Sequence, residues 1–281
     1  MDIDKFSSIL VEEMSKTKNN HYLSQHISKN FRVNMGMPFW EYDCATQIGP
    51  KQRSLERLFA TRNLWDQQME DTISNAFEND LARELKLLVS CSIERKRIIT
   101  CKDMVEPQFN GIIIKETERR KLLGKLFLQT AFLQRSNAKE KDNNVEKLAI
   151  RFLTSDIVIN MNVVLAEINP LFKFPPLILV DGMLFIVFVP ETKNKEKLGH
   201  ISFFFPISTK RFLFWGGKDD FDYFAYKFQN IDFLNLSRIQ QHDKKCKIAT
   251  QDIEYLKSLI GLMKNFSINE KVSIISSRNE K

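Results

Sequence analysis

Hydrophobic positions concentrate between residues 149 and 215, in short runs separated by polar or turn-forming residues. AIRFLTSDIVI, LILV, MLFIVFV and ISFFFPI, with RFLFW close behind, are rich in β-branched and aromatic side chains. That is the pattern of buried strands, expected near 150–159, 177–181, 183–189, 200–206 and 210–215. Asp181-Gly182 separates the second and third runs, and Asp-Gly between apolar segments predicts a tight hairpin.

Helical periodicity governs the remainder. Phe6, Ile9, Leu10 and Met14 predict an amphipathic helix over 2–16, with acids in its first turn where the macrodipole favours them. KTKNN at 16–20 reads as a turn. The aromatic run at 37–42 predicts a short strand ended by Gly49-Pro50, and 53–63 a short helix. The clearest helix covers 66–90: Met69, Ile73, Ala76, Phe77, Leu81, Leu85 and Leu88 form one stripe behind Asp66 as cap. A second long helix is expected over 115–135, with Leu122, Leu123, Leu126 and Phe127 inward. The segment 98–111 carries no decisive pattern. SNAKEKDNN at 136–144 is polar and aperiodic, the best linker. Two helices are expected at 231–245 and 251–264, and fraying from 270. The fold class is therefore α+β, as a single domain over 1–281. A helical N-terminal half (1–135) packs on a mostly antiparallel β-sheet that is closed by C-terminal helices, sheet and helices together spanning 145–270.

Composition sharpens this picture in three ways. The chain has 281 residues and 43% hydrophobic content, enough for a substantial core, and its 23 Phe crowd the second half. Cys44, Cys91, Cys101 and Cys246 show no Cys-x-x-Cys pair and no nearby His, so neither a zinc site nor a disulfide framework is suggested. The opening MDIDKF has acids where a signal peptide needs bases, and no apolar run reaches transmembrane length, so a cytoplasmic location without membrane is expected. The net charge of +7 admits RNA or DNA as partner, or simply lysine solvated on a surface. Its basic residues, ERKR at 94–97 and ERRK at 118–121 among them, are mostly interrupted by acids.

Familiar chemical motifs are absent. No Gly-rich loop precedes a helix, no Gly-x-Ser-x-Gly elbow occurs, and cofactor and oligomeric state are left open. His21 and His26 are five apart and diverge by roughly 140° on a helix, unlike a zinc pair. Asp181 with Glu191-Thr192-Lys193 has the spacing of a PD-(D/E)xK nuclease. With Asp181 in a hairpin turn, Glu191 would lie roughly 25–30 Å away at about 3.3 Å per residue, too far to share a metal.

A family resemblance adds candidates. His21-Tyr22-x-x-Gln25 followed by Lys29-Asn30-Phe31 resembles the opening of bacterial domain-of-unknown-function family four-two-three-eight, where Ser24 stands in place of the usual Pro. FWEYD at 39–43, FATRN at 59–63, FENDLA at 77–82, LQRS at 133–136, FLTSD at 152–156, FFPIS at 204–208 and the segment around Asn235 resemble its later motifs in order. No established reaction follows from the resemblance. It nominates His21, Glu78 and Asp156 as candidate catalytic groups, and Tyr22, Gln25, Arg62, Asn63, Arg135 and Asn235 as candidate binding residues. His21 can exchange a proton near neutral pH, or be hydrogen-bonded where a helix begins. Glu78 edges a buried stripe and needs a partner, such as Arg62 or Arg135. Asp156 ends a strand, as a reacting carboxylate or a turn cap. Gln25 and Asn63 could position a substrate or satisfy backbone groups.

Two functions of different class follow. One is a nucleic-acid-directed hydrolase or transferase, a toxin-like effector in bacterial anti-phage defence, using a His with two carboxylates for phosphodiester chemistry. The other is a non-catalytic binding or scaffold module, in which the same residues form a buried polar network. The first requires His21, Glu78 and Asp156 to converge in a cleft between helical half and sheet.

Overall fold

The computed structural model describes residues 19–21, 23–62, 79–93, 109–120, 122–124, 161–171, 173–183, 185–189, 200–242 and 246–266. The elements, in order, are β1 (Asn19–His21), α1 (Gln25–Lys29), β2 (Phe39–Asp43), β3 (Ile48–Arg53), a 3-10 turn (Leu55–Arg57) and β4 (Ala60–Arg62). After these come α2 (Asn79–Ser90), β5 (Phe109–Ile114), β6 (Asn162–Ile168), β7 (Leu179–Val180), β8 (Phe185–Val189), β9 (His200–Pro206) and β10 (Arg211–Gly216). The last are α3 (Lys218–Lys227), α4 (Ile231–Gln241), β11 (Lys247–Thr250) and α5 (Ile253–Asn265). The fold class is α+β. Its strands form a five-stranded sheet ordered β5-β6-β10-β9-β8, a four-stranded sheet ordered β3-β2-β11-β7 and a two-stranded β1-β4 ladder. Every ladder among the described residues is antiparallel.

The five-stranded sheet is covered on both faces, which is why its strands read as continuous apolar runs. Along β10 side chains alternate, so Phe212 and Phe214 share one face while Arg211 takes the other. Phe221, Phe224 and Phe228 recur at helical spacing on α3 and meet the first face, with Phe224 5.3 Å from Phe204 and Phe221 5.3 Å from Phe214 between ring centroids. From the opposite face Arg211 caps α2: its Nη1 donates to the Leu88, Val89 and Cys91 carbonyls at 2.7–2.9 Å. A cation there satisfies carbonyls that a helix end leaves without partners. Glu167 on β6 holds the same guanidinium at 3.0 Å. The second core lies where α4 and α5 lay Leu236, Ile239, Leu256 and Leu259 on Tyr42, Val180 and Ile248 of the four-stranded sheet.

Asp181-Gly182 is not a hairpin. Leu179–Val180 pairs with β11, whereas Phe185–Val189 pairs with β9, so the chain crosses here from one sheet to the other. Leu177–Val180 is buried throughout, and each run meets its backbone hydrogen bonds in a ladder of its own sheet. Glycine also leaves room for a neighbouring side chain. A Cβ on Gly182 would collide with the imidazole of His242 at the end of α4, whose Nε2 lies 3.0 Å from the Gly182 carbonyl oxygen.

Other differences have equally local causes. The helix expected at 53–63 is instead the end of β3, the 3-10 turn and β4. Glu41 organises that stretch, binding Arg53 Nε at 3.1 Å and accepting from the Phe59 amide, bonds that favour extended backbone over a helix. Gly49-Pro50 does not end the strand pairing but lies within β3. Segment 98–111 supplies the start of β5, and β6 was not foreseen. The strand expected at 150–159, the linker at 136–144 and the 2–16 helix lie outside the described residues. Within 66–90 the described helix is α2, whose Leu81, Leu85 and Leu88 are buried as the stripe predicted. Within 115–135, residues 117–120 and 122–124 are helical. The helices expected at 231–245 and 251–264 are α4 and α5. No described helix is long and apolar enough to cross a membrane.

Candidate functional site

A cleft of about 590 Å³ opens where the two sheets meet. Five chain segments wall it: the loop after α1, the end of β6, the proline-rich stretch before β7, the β9–β10 turn, and the β11–α5 junction. Phe174, Pro175, Pro176, Ile168 and Ile253 give an apolar wall, and Asn34, Thr209, Lys210 and Asp252 place polar groups on it. The volume falls within the range of small-molecule sites.

Gln251, at the junction of β11 and α5, holds the first segment in place. Its Oε1 accepts from the Val33 and Asn34 amides at 2.6 and 2.9 Å, while Nε2 donates to the Asn34 and Met37 carbonyls at 3.0 and 2.8 Å. All four hydrogen-bonding positions of one buried amide are used on a loop more than 200 residues away in sequence. The clamp keeps apolar side chains in water: Met35 is 86% exposed and Val33 68%. Gly36, with φ of 87°, supplies the left-handed turn just after them. The opposite wall is pinned by backbone bonds from Leu177 to the Thr209 carbonyl and from Ile168 to the Lys210 carbonyl, each 2.8 Å. Lys210 itself is exposed.

A buried polar network lies behind the wall. Asn235 on α4 is fully buried; its Nδ2 donates to the Pro176 carbonyl and to Tyr255 Oη, both at 2.9 Å. Its Oδ1 accepts from the Ile178 amide at 3.4 Å and from Arg238 Nη1 at 3.2 Å. Tyr255 Oη donates onward to Asp232 at 2.8 Å, and burial raises the phenol above its ordinary range. Pro176 belongs to both cleft and network. Arg238, one turn after Asn235, is also fully buried and donates to the Ile178 carbonyl at 3.0 Å. Among the described residues its Nε and Nη2 have no hydrogen-bond partner, while the guanidinium sits 5.7 Å from the Phe204 ring centroid, within cation–π range. Burial lowers its pKa to about 9. Near the inter-sheet crossing the Asp181 carboxyl is raised to about 7, chiefly by burial and against the pull of the Lys247 backbone and charge.

Of the sequence-nominated residues, Asn235 is described in full and is the hub of this network. Gln25, half-buried, opens α1 behind Ser24, whose hydroxyl accepts from the His26 amide. His21 and Arg62 are described in backbone only: β1 pairs with β4, placing His21 opposite Ala60 and Arg62 opposite Asn19. Tyr22, Asn63, Glu78, Arg135 and Asp156 lie outside the described residues, and with them the expected convergence of His21, Glu78 and Asp156. Sequence reasoning passed over Arg238, Tyr255 and Gln251. For Arg238 a trace existed: Ile231, Leu234, Asn235, Arg238 and Ile239 share one helical face, so two polar residues interrupt an apolar stripe. Among the described residues no group of three or more His, Cys, Asp and Glu is arranged to hold a metal ion.

No family model, curated protein or solved structure matches the chain.

Proposed function

We propose that the chain is a binding module. Its ligand enters the cleft between the sheets, and the Asn235–Arg238–Tyr255 network serves as the scaffold behind it. The observation that supports this reading is the use of Asn235: a residue nominated for substrate contact spends both ends of its amide inside the protein. A fully connected buried network specifies the position of its surroundings. The surroundings in this case include Pro176 on the cleft wall. The wall chemistry suits a compact apolar molecule carrying an anionic group, with rings against Phe174 and the prolines and the anion toward Lys210.

Anilinonaphthalene sulfonate, an aromatic anion, is a suitable probe. It is expected to bind the folded protein saturably at one site. Thr209→Trp, which fills the cleft, should abolish binding, and Lys210→Glu should weaken it roughly fivefold. Dye binding that is unsaturable, or equal in both variants at unchanged melting temperature, would refute the reading. The nucleic-acid-directed enzyme keeps the net charge of +7 as its support. RNA binding that is strong at low salt and falls steeply as salt rises would favour it instead.

A further inference from the structure

Cys44 and Cys246 are 202 positions apart in the chain and adjacent in the fold. The β2–β11 register pairs Asp43 with Lys247, so the next position along pairs Cys44 with Cys246. The Cys44 amide donates to the Cys246 carbonyl at 2.9 Å, which fixes the two residues directly opposite each other. Opposed residues of a hydrogen-bonded antiparallel pair have Cα atoms about 5.5 Å apart and side chains on one face. A disulfide needs Cα atoms roughly 4.4–6.8 Å apart. The Cys246 thiol donates to the Ile239 carbonyl at 3.9 Å, and the neighbouring Cys44 thiol, with burial, raises its pKa. Both are free and buried within the second core.

We propose that Cys44 and Cys246 are a dithiol that closes reversibly to a disulfide, with a low-molecular-weight disulfide as oxidant. A thiolate from either residue attacks the oxidant's S–S bond and forms a mixed disulfide, releasing one thiol. The second cysteine then displaces the other half, so one protein S–S bond forms, one oxidant S–S bond breaks, and two electrons and two protons pass to the oxidant. Burial and the raised pKa make the first attack slow. Access comes through the ladder's end: Cys44 follows the last residue of β2 and Cys246 precedes the first of β11, so fraying of one pair exposes them. The bond would anchor β11 at the end opposite Gln251, closing a loop of about 200 residues.

The experiment incubates the folded, full-length protein with excess oxidised glutathione, followed by thiol titration and non-reducing peptide mapping. The expected result is loss of two of the four thiols and one cross-linked peptide joining Cys44 to Cys246. The melting temperature should rise by roughly 5 °C or more and return with dithiothreitol. Cys44→Ser and Cys246→Ala should each give no cross-linked peptide, the remaining partner going no further than the mixed disulfide. Four titratable thiols after prolonged oxidation would overturn the proposal. So would a link through Cys91 or Cys101, a lasting glutathione adduct on Cys44 or Cys246 when both are present, or a link that lowers the melting temperature.

Discussion

Asn235→Ala tests whether the buried network holds the cleft wall in place. The substitution removes the partner of the Pro176 carbonyl and the Ile178 amide, and one of the partners of Arg238 and Tyr255. Arg238 and Tyr255 keep their bonds to the Ile178 carbonyl and to Asp232. The cost therefore falls mainly on two backbone groups, at about 1–2 kcal/mol each for a buried group left unpaired. Shortening the side chain in a fully packed place adds about 1 kcal/mol of lost contact. The sum, about 3–5 kcal/mol, is a large share of the stability of an ordinary domain. Urea unfolding followed by circular dichroism should show the midpoint falling with the slope unchanged, and the melting temperature should drop by roughly 10 °C. Tyr255→Phe should cost about 1 kcal/mol alone and less beside Asn235→Ala, because the two share one bond. A loss below about 1 kcal/mol with an intact fold would refute the network. Asn235 would then be free to serve a ligand instead.

Four other outcomes follow from the same geometry. The raised pKa of Asp181, from 3.8 to about 7, means its stabilising share is complete below about pH 4 and lost as pH rises to about 7, a fall of roughly 2–4 kcal/mol. Asp181→Asn should flatten that slope in pH-dependent urea unfolding, and an unchanged slope would place the carboxyl in water. Gln251→Ala should speed hydrogen exchange at the Val33 and Asn34 amides roughly tenfold or more, with Gln251→Glu, which keeps only acceptors, between it and wild type; unchanged exchange would show that the loop is held otherwise. Arg211→Met should destabilise by about 2–4 kcal/mol, since three helix-end carbonyls and Glu167 lose one partner, and a neutral result in urea would refute the capping role. Gly182→Ala should cost about 2 kcal/mol or more through the His242 contact, and a neutral substitution would refute the tight crossing.

Local patterns were legible wherever one element could satisfy itself. The stripe of Leu81, Leu85 and Leu88, the runs of β9 and β10, and both C-terminal helices are set by periodicity and burial, which neighbouring residues declare together. Pairing was less legible, because it joins residues far apart. Asp-Gly carries the same local preference for a turn whether the next strand folds back or departs to another sheet. At Asp181-Gly182 the deciding fact was the pairing of Leu179 and Val180 with Ala249 and Ile248, far onward in the chain. In the same way 53–63 has helical composition, and the distant Glu41 carboxylate turns it into extended chain.

The candidate site follows the same division. Cys44 and Cys246 looked scattered because nothing near either one reports the other; only the β2–β11 register does. Gln251 looked like an ordinary residue between a strand and a helix, yet its amide matches the donors and acceptors of a loop near the other end of the chain. Asn235 could be nominated from sequence, but its direction could not. On α4 it follows Leu234 and precedes Leu236, both buried, so burial was foreseeable and the choice among Pro176, Ile178, Tyr255 and Arg238 was not. Polar residues on an apolar helix face are therefore the part of a cleft that sequence can flag in advance. Their partners fix whether such a residue faces a ligand or the protein itself, and here all four belong to the protein.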